Sequence, residues 1–158
     1  MADRRVFIRA VPTQETIEVI KKFARHTGLP IGRDFLCRPH ATIVYGNAEV
    51  NAEDIVLPEV KYPIIGTNPR LRLLLARDYV YCLSMSFESE AMASLNEAIR
   101  VKYDIKENHK NFLSHLTLKR GGTRGIINLT REIPFDLMFD RIKIDGGWVK
   151  NQQAQFAR

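Results

Sequence analysis

Cysteine is scarce in this chain of 158 residues. Cys37 and Cys82 are its only two, far apart and at no ligand spacing. That excludes a disulfide scaffold and a thiolate metal centre, and two free thiols in a reducing cytosol are expected. No run approaches the roughly 18 consecutive apolar residues that span a bilayer, so no membrane helix is expected. The opening Met1-Ala2-Asp3-Arg4-Arg5 passes straight into the strand-like Val6-Phe7-Ile8. It lacks the apolar stretch and small-residue cleavage site of a secretory signal, so a cytoplasmic location follows as an expectation. Histidine is also sparse, with four in the chain, and His109 and His115 have no Cys, Asp or Glu cluster around them at ligand spacing. Neither a metal site nor any other cofactor is expected.

What is present is ordinary for a globular protein, with 45% hydrophobic and 27% charged residues. The length suits one domain over 1–158, long enough to bury a real core. The net charge is +6, which concentrates anionic ligands such as nucleotides or nucleic acid near the surface. The positive residues are dispersed rather than clustered, so charge supports an anionic partner without identifying one.

Along the chain, Arg5 to Ala10 alternates as a strand. Thr13 is placed to cap a helix that Gly28 and Pro30 end. An Arg- and Gly-containing loop leads to the strand His40-Ala41-Thr42-Ile43-Val44-Tyr45. Residues 47–58 read as irregular or briefly helical. Tyr62 to Ile65 reads as a short strand closed by Gly66, Asn68 and Pro69. Leu71 to Ala76 and Tyr79 to Phe87 read as a hairpin turning at Arg77-Asp78. A helix is expected over Ser89 to Asp104, a polar loop over Lys106 to Asn111, and a strand over Ser114 to Lys119. Phe135 to Ile144 reads as a closing strand before Gly146-Gly147-Trp148. The two halves each hold a strand, a helix and a strand bearing His-x-Thr. The expected class is α+β, with mainly antiparallel strands lining a central groove and the helices outside.

Those two His-x-Thr strands carry the chemistry. Strand residues i and i+2 share a face, so His40 and Thr42 point one way while Ala41 and Ile43 point the other. His115-Leu116-Thr117-Leu118 repeats the layout. Two imidazoles and two hydroxyls facing one groove supply what phosphodiester cleavage needs. One histidine takes a proton from the attacking hydroxyl and the other protonates the departing oxygen. The threonines donate to the non-bridging oxygens, and no metal is required. A single His-x-Thr is more often structural; the repeat is what carries weight. His26, in the last turn of the first helix, reads as a favourable charge at the helix end, and His109 as a solvated loop residue.

These motifs, His40-Ala41-Thr42 and His115-Leu116-Thr117 in two halves of a small α+β chain, resemble the signature pair of the 2H phosphoesterase superfamily. The opening strand, the helix from Pro12 and Pro39-His40-Ala41-Thr42-Ile43-Val44-Tyr45 are similar to the phage anti-CBASS cyclic-oligonucleotide phosphodiesterases. The resemblance implies a 2H fold of two pseudo-symmetric lobes and hydrolysis of 3′-5′ bonds in cyclic di- and trinucleotide messengers. It places such an enzyme in the host bacterial cytoplasm, acting against CBASS immunity. It implies His40 and His115 as the acid–base pair and Thr42 and Thr117 as phosphate-holding hydroxyls. It further implies base stacking on aromatics at the positions of Phe7 and Trp148, with Phe7 in place of the more usual tyrosine.

Phe7 also reads as a core residue, and Trp148, after two glycines and beside a polar tail, as the better stacking residue. Lys119 falls on the His115 and Thr117 face by the period of two, where it contacts phosphate or is simply solvated. Tyr45 points away from His40 by the same counting, unless the strand twists or bulges. The expected partner is a cyclic di- or trinucleotide rather than nucleic acid or a membrane, with an oligomer left open. An RNA 2′,3′-cyclic phosphodiesterase and a non-catalytic nucleotide-binding module are the alternatives. The first is disfavoured because Tyr45-Gly46-Asn47 stands where such enzymes carry a Phe-Leu-Gly run.

Overall fold

The computed structural model describes residues 4–76, 79–107, 112–122 and 127–148, with the backbone alone for 146–148. Its elements are β1 (Arg4–Pro12), α1 (Gln14–Thr27), α2 (Arg33–Cys37), β2 (Ala41–Ala48), β3 (Ile64–Leu75), β4 (Tyr81–Glu88), α3 (Glu90–Lys102), β5 (Lys106–Glu107), β6 (His115–Arg120) and β7 (Leu137–Trp148). A single 3₁₀ turn, Ala52–Asp54, lies in the connection after β2.

The helix boundaries follow from side-chain chemistry. The Thr13 hydroxyl accepts from the Thr16 amide at 3.1 Å, satisfying one of the free donors of α1's first turn. At the other end Gly28 has φ 72°, a conformation that costs glycine nothing, and its N–H returns to the Ala24 carbonyl. Ser89 caps α3 in the same way, accepting from Met92 N at 3.2 Å. Thr16, Ile20 and Ala24 form the buried stripe of α1, and Met92, Leu95, Asn96 and Ile99 that of α3.

The strands form two three-stranded lobes, β7-β1-β2 and β3-β4-β6, in which every pairing is antiparallel. Each lobe is built on a strand–helix–strand unit: β1-α1-β2 in one, β4-α3-β6 in the other. Each is completed by a strand from elsewhere in the chain. The lobes touch along two narrow seams, so the pairings close into a ring. One seam is three residue pairs between β3 and β7. The other is a single pair between β2 and β6, Ala41 with Leu116. Val6, Ile8, Ile43 and Val44 from one lobe, Leu83, Met85, Leu116 and Leu118 from the other, and the helix stripes share one apolar core.

Besides α2 and β5, which form where loops are expected, two strand expectations change in detail. β3 is one strand through Asn68-Pro69, where a short strand and a break are expected from composition. A register shift between Thr67 and Arg70 absorbs Asn68 at φ 49° and a proline with no N–H to offer. β7 likewise runs through Gly146 and Gly147, which pair with Val6 and Arg5. Across the β3–β4 pairing, Gly66 lies so close to the Phe87 ring that any side chain would collide with it.

Asn96 links the two units. It is 4% exposed, and its amide donates to the Ile43 carbonyl of β2 at 2.8 Å and to Glu107 Oε1 at 2.6 Å. Removing a buried donor leaves that carbonyl without its partner. Asn96→Ala is expected to reduce the unfolding free energy by about 1–3 kcal/mol. The readout is a lower urea midpoint at unchanged slope; an unmoved midpoint would show that Ile43 does not rely on this bond.

Candidate active site

The single-residue seam places both His-x-Thr motifs together. With Ala41 opposite Leu116 in an antiparallel pair, the register one step either way sets His40 across from Thr117 and Thr42 across from His115. Each imidazole therefore has the other motif's hydroxyl as its cross-strand neighbour. Ala41 and Leu116, both 0% exposed, face the core, while all four polar residues are half-buried on the groove side. The proximity is also electrostatic, since the charge of His115 acts on His40.

The two rings are held alike. His40 Nδ1 lies 2.8 Å from the Arg38 carbonyl, and His115 Nδ1 lies 2.9 Å from the Leu113 carbonyl. A carbonyl oxygen only accepts, so Nδ1 carries the hydrogen in both rings. That fixes the tautomer and leaves Nε2 of each ring as the nitrogen that gains or loses a proton. The same two-residue reach back along the chain orients both.

A second repeated feature lies just beyond each threonine. On β2, Ile8 pairs with Val44 but Arg9 with Thr42, so Ile43 is an extra residue, a bulge. On β6, Ser84 pairs with Thr117 but Leu83 with Lys119, so Leu118 is extra in the same place. Each bulge carbonyl is met from outside its ladder: that of Ile43 by the Asn96 side chain, that of Leu118 by the Gly32 amide at 2.8 Å. After a bulge the alternation resumes one residue late. Tyr45 and Arg120 therefore come to the groove face, and Val44 and Lys119 to the packing face.

This corrects the placement of Lys119. It stands opposite Leu83, itself fully buried, and its Cγ lies 3.1 Å from where a β-carbon on Gly32 would be. It also brings Tyr45 to the site, contrary to simple counting. The Phe7 ring meets Tyr45 edge-on at 5.5 Å between centroids and His40 edge-on at 5.3 Å. Phe7 is thus at the site, but at 5% exposure it works as a wall against His40. Trp148 ends β7 opposite Arg4, and its side chain lies outside the described residues. His109 lies outside them too. His26 sits in the last turn of α1 as expected.

Arg9 went unnoticed in the sequence. It pairs with Thr42 across β1–β2, is 8% exposed, and its guanidinium carbon stands 5.3 Å from the Phe7 ring centroid. Its Nη1 lies 2.9 Å from Asp145 Oδ2, a close ion pair rather than an aligned hydrogen bond. The alternation Arg5-x-Phe7-x-Arg9 was the available signal. Arg5 likewise lies over the Tyr45 ring, at 5.1 Å. For Arg120 the signal was its offset, three residues after Thr117 as Tyr45 is three after Thr42.

Burial and charge together set the state of His40. Burial lowers its pKa, partly opposed by the Arg38 carbonyl bond, and the positive Arg9, Arg38 and His115 lower it further. His40 is therefore neutral at pH 7, with a free lone pair on Nε2. Among the described residues no group of three or more His, Cys, Asp or Glu could hold a metal ion. Cys37 is exposed and Cys82 buried, and neither is in a disulfide.

No protein-family model matches the sequence, and no curated protein matches it. Crystal structures of E. coli LigT share its fold. The structure without ligand and the 3′-AMP complex each have a TM-score of 0.58, and the phosphate complex 0.56. Each is 18% identical and covers 91% of this chain and 87% of the LigT chain. LigT is a 2H phosphoesterase, and the two-lobed fold described above is the 2H phosphoesterase fold.

The state of His40 can be read without any substrate. In an NMR titration its Cε1–H signal is expected to move with a midpoint below 6.5, and Arg9→Gln is expected to raise that midpoint. A wild-type midpoint at or above 6.5 would contradict the described environment.

Proposed function

We propose that the chain is a phosphodiesterase that uses its own side chains, without a metal, to cleave 3′-5′ bonds in cyclic di- and trinucleotide messengers. The observation that supports the reading is the Ala41–Leu116 pairing, which has an Nδ1-anchored imidazole and a threonine as its immediate neighbours on each strand. Neutral His40 takes the proton from a ribose 2′-hydroxyl through Nε2. The O2′–P bond forms as the P–O5′ bond breaks, and protonated His115 gives its Nε2 proton to O5′. Thr42 and Thr117 donate to the non-bridging oxygens as charge grows there. The product is a linear nucleotide ending in a 2′,3′-cyclic phosphate, which water then opens with the two histidines in exchanged roles.

The finer substrate rests on the likeness of Pro39-His40-Ala41-Thr42-Ile43-Val44-Tyr45 and the opening strand to the phage anti-CBASS phosphodiesterases. On that reading the enzyme acts in the host cytoplasm and lets a phage evade CBASS immunity. No helix among the described residues is long and apolar enough to cross a membrane. The cationic groove side chains Arg5, Arg9 and Arg120 suit a substrate with several phosphates. A second reading, an RNA 2′,3′-cyclic phosphodiesterase, is favoured by one observation: LigT has been solved with 3′-AMP and with phosphate.

Incubation in chelator with a panel of cyclic di- and trinucleotides and a 2′,3′-cyclic-phosphate RNA, followed by mass spectrometry, separates the two. Linearised cyclic nucleotide is the expected product. His40→Ala or His115→Ala is expected to reduce turnover by at least about 10²-fold while leaving the fold intact by circular dichroism. Undiminished turnover in both variants would remove the catalytic assignment, and turnover of the RNA alone would favour the second reading.

A further inference from the structure

The register of the second lobe extends the site beyond the His-x-Thr pair. Directly paired residues in a sheet share a face, and two such rows cross all three strands. His115 on β6 pairs with Ser86 on β4, which pairs with Arg70 on β3. Thr117 pairs with Ser84, which pairs with Arg72. Both motif residues are thus linked across the groove floor to an arginine two strands away, about 9–10 Å between strand backbones.

Between the two ends stand only serines. Ser84 and Ser86 are 0% and 5% exposed, so these small side chains are covered and only the two ends of each row carry large polar groups. The Ser84 hydroxyl has no hydrogen-bond partner among the described residues. Arg70 and Arg72 are both exposed, although they are flanked on the same strand by the buried Leu71. No ion pair among the described residues engages either of them. They also line an open cavity of about 570 Å³ together with Thr130, Arg131 and Glu132, so its charged lining is positive on balance.

We infer that Arg70 and Arg72 form a second phosphate subsite, which holds another phosphodiester of the same substrate while the first lies between His40 and His115. Two guanidinium forks on adjacent same-face positions suit a phosphate, since each offers paired donors to its oxygens. A mononucleotide reaches only the histidine end of these rows. A cyclic dinucleotide has a second phosphate across its ring, which spans toward the arginines. The inference rests on the function proposed above and deepens it, because it makes phosphate number the basis of substrate selection.

The test compares a cyclic dinucleotide with a nucleoside 3′-monophosphate by calorimetric binding and, for the dinucleotide, by turnover. The proteins are wild type and the Arg70→Gln, Arg72→Gln double variant; both positions are exposed, and circular dichroism confirms folding. The double variant is expected to bind the dinucleotide about tenfold more weakly or worse, the size of one charge-assisted contact, with 3′-monophosphate affinity unchanged. Equal losses for both ligands, or no loss for either, would overturn the subsite. Wild-type binding of the dinucleotide that depends on the arginines, without turnover, would keep the subsite and defeat the proposed reaction. Turnover with dinucleotide affinity unchanged in the double variant would do the reverse. Failure of wild type to bind either ligand would defeat both.

Discussion

One residue pair, Ala41 against Leu116, joins β2 to β6, and the chemistry of the groove depends on that contact. Both side chains are fully buried, so the seam is anchored from the apolar side by the common core. The polar neighbours on either side are thereby turned together into the groove. A slip of one residue along either strand would exchange faces and bury the imidazoles. Core packing therefore sets the register, and the register sets the relation of the two histidines.

Around this seam the two strand–helix–strand units repeat each other in four respects. Each presents His-x-Thr, ties Nδ1 to the carbonyl two residues back, bulges immediately after the threonine, and has its bulge carbonyl met by a distant donor. They differ in the residue the bulge delivers to the groove, Tyr45 in one and Arg120 in the other. One lobe thereby offers an aromatic surface beside His40 and the other a cation beside Thr117. Arg9, ion-paired with Asp145, adds a buried positive charge that acts on His40. The outcome is a nearly symmetric pair of imidazoles in unequal surroundings.

Much of this was legible in the sequence because it depends on local chemistry. Thr13, Gly28 and Ser89 announce helix ends through their own side chains or backbone freedom, and His-x-Thr separates polar from apolar faces by strand geometry alone. The bulges were not legible. A bulge at Ile43 is settled by where β1 pairs and by an amide on α3, and one at Leu118 by β4 and Gly32, all distant in sequence. Counting by twos therefore kept Lys119 on the groove and left Tyr45 off it. Asn68 and Pro69 read as breakers for the same reason: only the partner strand reveals that a register shift accommodates them. Arg9 was hidden because a charged residue in an apolar strand is ordinarily assigned to solvent, whereas here an ion pair and an aromatic ring accompany its burial.

The most direct measurement is a long-range ¹H–¹⁵N NMR spectrum of the histidine rings as phosphate or a pentavalent vanadate–nucleoside complex is added. The account predicts that His40 and His115 both begin as Nδ1-protonated rings when neutral, and that both Nε2 resonances shift together at one equivalent. A response confined to one ring, or two responses saturating at different stoichiometries, would mean that the imidazoles do not share a phosphorus-binding position.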